Sequence, residues 1–160
     1  MIERLNAGAE RDELSPARVL SALRAARATE DAAAAEQLAL AARWADLHPP
    51  ESIHSAAVFT VPGSEHEEPI AGEGCPAVAE FCVAELGAVL GMSTVSAKRL
   101  LGHALELRHR LPRLWDRVQT GSVPAWRARL VAEATIHATP ALTRDAAVWV
   151  DAQVAGMAGR

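Results

Sequence analysis

Six histidines, two cysteines and twenty acidic residues are the raw material for chemistry in this 160-residue chain, and their spacing does not assemble a centre. No His-Glu-x-x-His pair occurs, and His103 and His109 are six residues apart, about 120° from each other around a helix. Cys75 and Cys82 lack the spacing of a zinc-ligand pair and read as free thiols. His48, His54 and His66 fall in a polar connector, where solvated imidazoles are expected. Glu80 and Glu85 share one predicted helix and read as solvated or ion-pairing carboxylates. Neither a Gly-rich phosphate loop after a strand nor a Gly-x-Ser-x-Gly elbow is present. The residues therefore predict no catalytic centre, no metal site and no cofactor.

The types that do cluster are basic. Residues 1–97 hold six Arg and no Lys against fifteen Asp and Glu, a balance of −9, whereas residues 98–130 hold eight Lys and Arg against two acids, a balance of +6. The overall charge of −4 hides this block. Electrostatic attraction is felt over a Debye length of about 8–10 Å, so local charge decides what a surface attracts. Two uses are open: a phosphate-contacting surface, or solvated helix faces paired with acids from the first half.

The block begins on a helix that the sequence defines well. Residues 84–105, AELGAVLGMSTVSAKRLLGHAL, read as two helices joined by a tight turn. Gly91 suits the left-handed position that ends the first, and the Ser93 hydroxyl can cap the second. Ala97, Leu100, Leu101, Ala104 and Leu105 form one apolar stripe, which leaves Thr94, Lys98 and Arg99 on the other side. A glycine turn, a capped second helix and early basic residues fit a DNA-binding helix-turn-helix. An ordinary helical hairpin inside a core fits the same pattern. In the DNA reading, Thr94, Lys98 and Arg99 contact bases or phosphates, and Arg108, Arg110, Arg113, Arg127 and Arg129 position the backbone.

The elements around this unit are predicted all-α. Half the chain is apolar, chiefly Ala, Leu and Val, with no Tyr and two Phe, which favours helix over strand. Residues 1–47 are expected to hold two helices, Ser15–Pro16 to about Ala26 and Thr29 to Leu47, stopped at His48-Pro49-Pro50. Residues 48–75 form an acidic, Gly- and Pro-rich connector that reads first as disordered, with one short strand at Ala56–Val61. Residues 76–155 are the helical domain: helices over Pro76–Leu90, Thr94–Arg110, Arg113–Gln119, Val123 to about His137, and Thr139–Val154. The last would bury Leu142, Ala146, Val150 and Val154, and residues 156–160 read as a truncated tail. Trp44, Trp115, Trp126 and Trp149 are expected as core fillers. A charged N-terminus and the lack of an apolar run of about 18 residues predict a cytoplasmic chain with no membrane partner.

The run from Cys75 to Thr135, with LGMS, ALELRHRLPRLW and VPAWRARLVAEAT inside it, WADLHP upstream and WVDAQVAG downstream, resembles the actinobacterial 13E12 repeat family across about residues 30–155. In that family a helical domain of unknown function usually precedes a C-terminal HNH endonuclease domain. The resemblance implies a DNA-engaging or targeting region of a nuclease-like protein. An HNH centre needs metal-binding histidines and an asparagine that orients one of them. The one asparagine here is Asn6, without a suitably placed His pair, so no catalytic residue carries over. The favoured expectation is non-catalytic DNA binding. Its alternatives are a helical module that dimerises or docks on a separately encoded nuclease domain, which exposed apolar surface near Val148, Val150 and Val154 would favour, and a nonfunctional remnant of a longer nuclease gene.

Overall fold

The computed structural model describes residues 15–56 and 65–157, and the elements named are those of the described residues. Seven helices and one short antiparallel ladder make up the all-α architecture: α1 (Pro16–Leu47), α2 (Glu51–Ala56), β1 (Glu67–Glu68), β2 (Val78–Ala79), α3 (Phe81–Leu90), α4 (Thr94–Arg110), α5 (Pro112–Gln119), α6 (Ala125–Ile136) and α7 (Arg144–Val154).

The core is built around α4. Its predicted stripe of Ala97, Leu100, Leu101, Ala104 and Leu105 is fully buried, and so are His103, Glu106, Leu107 and Arg110 on other sides. From its third turn onward α4 is therefore enclosed by its neighbours. The alanines Ala35, Ala41, Ala42 and Ala45, with Leu38, let α1 lie close against it. The 1–47 and 76–155 regions thus share one hydrophobic core.

Several expectations change. The two N-terminal helices are one helix of 32 residues. No Gly or Pro interrupts 26–29; the Thr29 hydroxyl donates to the Ala25 carbonyl, and Arg27 pairs with Glu30 and Asp31 one turn on. The helix placed at Pro76–Leu90 begins at Phe81, because Val78 and Ala79 are extended and pair with Glu68 and Glu67. The connector is packed over residues 65–75. Ile70 is buried where its carbonyl crosses α4 at Gly102; a Cβ there would collide with that carbonyl. The Gly72 amide donates to the Glu106 carboxylate at 2.9 Å. Residues 57–64, which include most of the strand expected at Ala56–Val61, lie outside the described residues, and Ala56 ends α2.

The last helix starts at Arg144, capped by the Thr143 hydroxyl, and its deepest residues are Ala147 and Asp151. Leu142, Ala146, Val150 and Val154 are half-buried beside them. Trp44 and Trp115 pack against the core, but Trp126 and Trp149 are 50% and 66% exposed and do not fill it.

Candidate functional site

The α3–α4 joint has the predicted geometry. Gly91 sits at φ 64°, ψ 31°, the left-handed conformation that closes α3, and the Met92 amide donates back to the Gly87 carbonyl at 2.9 Å. The Ser93 hydroxyl accepts from the Ser96 amide at 3.2 Å. The two helices cross the joint with a bend of 106°. Only the first turn and a half of α4, Thr94, Val95, Ser96, Lys98 and Arg99, reaches solvent beside it.

The basic residues do not gather into one open patch. Lys98 Nζ lies 2.6 Å from Glu68 of β1, and Arg99 lies 2.9 Å from Glu133 of α6. Arg108 donates to Asp46 of α1 at 2.7 Å. Arg129 is half-buried, its Nε donating to His103 Nδ1 at 3.1 Å. Arg127 lies over the Trp126 ring at 5.3 Å, and Arg113 projects from α5. Thr94 is exposed at the joint.

Arg110 corrects the sequence reading outright. It is 1% exposed and paired with Glu106 at 2.7 Å, and its Nη2 donates to the carbonyls of Leu142 and Thr143. It fastens α4 to the segment entering α7 and cannot meet a phosphate. Its i, i+4 spacing from Glu106 was visible in the sequence; the burial that gives the pair its role was not.

His103 is the buried imidazole nearest the joint. It donates from Nε2 to Glu133 at 2.5 Å, so both ring nitrogens are occupied. Burial holds its pKa below the ordinary value, partly opposed by Glu133, whose own carboxyl is held low chiefly by that same hydrogen bond. A neutral imidazole with no open nitrogen serves neither as base nor as ligand. Beside it, Arg99, Trp126, Arg129 and Leu130 line a shallow cavity of about 220 Å³. Burial pushes the Cys75 thiol up to about 12 and the Cys82 thiol to about 11, which keeps both protonated and unreactive.

Among the described residues one set of three His and Glu side chains brings its ligand atoms within 4.8 Å of one another: His66, Glu68 and Glu80. Glu80 lies 2.8 Å from His66 Nδ1 and Glu68 lies 3.6 Å from Nε2. The carboxylates take different ring nitrogens, and Glu68 also holds Lys98 in an ion pair.

What the surface offers instead is apolar. Phe81 at the start of α3 is 55% exposed, and Val89 and Val95 beside the joint are 78% and 70% exposed. Leu40, Trp44 and Leu47 of α1 face Leu86 and Leu90 of α3 across a groove of about 300 Å³. Val148 and Trp149 are exposed on α7. The scarcity of polar residues in α3, whose one charge is Glu85, could have flagged Phe81 and Val89, since ten residues so apolar cannot all face the core. Among the described residues no single helix is long and apolar enough to cross a membrane. No protein-family model matches the chain, and neither the curated proteins nor the solved structures include a significant match.

Proposed function

We propose that this chain is a non-catalytic helical interaction domain. The observation that carries the reading is α3, whose solvent side is apolar apart from Glu85 while its opposite side packs on the core. Cys82, Val83 and Gly87 face the core, while Phe81, Ala84, Ala88 and Val89 face solvent at helical spacing around the single charge of Glu85. A surface helix ordinarily turns a polar face to water, so large exposed apolar side chains such as Phe81 and Val89 around one charge mark a contact site. The resemblance to regions that precede HNH nuclease domains makes such a domain, encoded in the same or another chain, the natural partner.

The 106° joint favours a second reading, DNA engagement without chemistry through Thr94, Lys98 and Arg99. Exposed ion pairs are worth about 0–1 kcal/mol, so a phosphate can compete with Glu68 for Lys98 and with Glu133 for Arg99. Against it, Glu68, Glu80, Glu85 and Glu133 surround the same corner and repel a polyanion.

Two measurements on the 160-residue chain separate the readings. Fluorescence anisotropy with a random-sequence duplex, titrated over about 50–200 mM salt, is expected to show weak binding with a shallow slope. A slope of several log units, abolished by Lys98→Glu with Arg99→Glu, would establish the DNA reading. Sedimentation of the chain alone and with an HNH nuclease domain is expected to show self-association or a complex. Neither, in a chain folded by circular dichroism, overturns the interaction reading.

A further inference from the structure

We infer that the outward seam of α1 is a homodimer interface, pairing antiparallel with the same seam on a second copy of this chain; the inference rests on the interaction reading and names its partner. The first half of α1 carries the argument. Residues 15–30 are all exposed, so about 22 Å of helix runs beyond the core with Leu20 and Leu23 56% and 60% exposed. Isolated helical stretches of that length are marginal in water.

The seam continues into the docked half. From Val19 to Leu47 the positions advance in alternating steps of four and three, the heptad spacing that keeps one stripe facing a partner helix. Every position on it is exposed except half-buried Trp44. Leucines stand toward both ends and polar Glu30 and Gln37 nearer the middle, where polar residues fix register at some cost in stability.

Charge sets the direction. Residues 16–29 contain Arg18, Arg24 and Arg27 and no acid, a charge of +3. Residues 30–47 contain Glu30, Asp31, Glu36 and Asp46 against Arg43, a charge of −3. Parallel pairing would lay like on like; antiparallel pairing lays each half on its complement and also opposes the helix dipoles. The seam then meets itself in layers of Val19 on Trp44, Leu23 on Leu40, Ala26 on Gln37 and Glu30 on Ala33, each occurring twice about the two-fold axis. The exposed Val19 and Leu23 of one copy enter the groove that Leu40, Trp44, Leu47, Leu86 and Leu90 form on the other.

The test uses the full chain at about 2–200 µM. Sedimentation is expected to show a dimer that Leu23→Glu or Leu40→Glu weakens at least tenfold; both residues are exposed, so the fold seen by circular dichroism is retained. Under mild oxidation, Leu23→Cys mixed with Leu40→Cys is expected to give a disulfide-linked dimer, whereas neither variant alone nor the unaltered chain does. Efficient linking of Leu23→Cys to itself overturns the antiparallel seam. A monomer at every concentration overturns the dimer; if that monomer still binds an HNH nuclease domain the interaction reading survives, and if it does not, both fall.

Discussion

Arg110 and Glu106 carry opposite charges into the most enclosed part of the molecule, and what they hold explains why they are there. Glu106 accepts from the Gly72 amide, and Arg110 donates to two carbonyls ahead of α7, so one buried pair ties the connector and the last helix to α4. Removing one partner leaves the other charge buried and unpaired, which costs about 3–5 kcal/mol. Arg110→Ala is therefore expected to lower the urea-unfolding free energy by that order, and loss of less than about 1 kcal/mol would show the pair to be dispensable. His103 gives a pH dependence whose sign follows from burial. Its folded pKa lies below the ordinary imidazole value of 6.5, so the unfolded chain binds more protons as pH falls past 6.5 and stability declines. Glu133, also held low, adds loss in the same direction only at more acidic pH. The urea midpoint is expected to drop between pH 7.5 and 5.5, and His103→Gln to flatten that drop; an unchanged pH profile in the variant would remove His103 as its source.

At the scale of elements, what was legible in the sequence was what neighbours in the chain decide. The α4 stripe, the Gly91 turn and the Ser93 cap depend on residues within a few positions of one another, and the structure reproduces them. The β1–β2 ladder depends on partners ten or more residues apart, in a stretch whose Gly and Pro content points to disorder. The exposure of Trp126 and Trp149 follows from which faces neighbouring helices cover, which residue type alone does not state. The basic block failed as a patch for the same reason: acids from β1, α1 and α6 meet it in three dimensions. Asp151 is the clearest case. It reads as one more acid near the end of α7, yet it is buried and accepts from the Arg113 and Leu114 amides, at 2.9 Å each, capping α5 from across the fold. Leu111 offers no cap of its own. Asp151→Ala should cost about 2 kcal/mol and speed amide exchange in the first turn of α5, whereas an effect confined to α7 would deny it the capping role.

For the whole molecule, the distribution of apolar surface is the fact that needs an account. The core is closed around α4, yet large apolar side chains remain exposed on α1, α3, α6 and α7. A monomer gains little from holding residues 16–30 helical in water, because ordering them costs backbone entropy that no burial of their own side chains offsets. A dimer along that seam removes the cost and couples stability to concentration by mass action. Raising the chain concentration a hundredfold should then raise Tm by about 3–5 °C. Leu40→Glu should abolish that dependence while leaving the Tm at the lowest concentration nearly unchanged, since Leu40 is already 61% exposed. Differential scanning fluorimetry at several concentrations reads both quantities. A concentration-independent Tm in the unaltered chain would mean that α1 stands on its own contacts, and the exposed faces of α3 and α7 would become the surfaces to probe for a different protein.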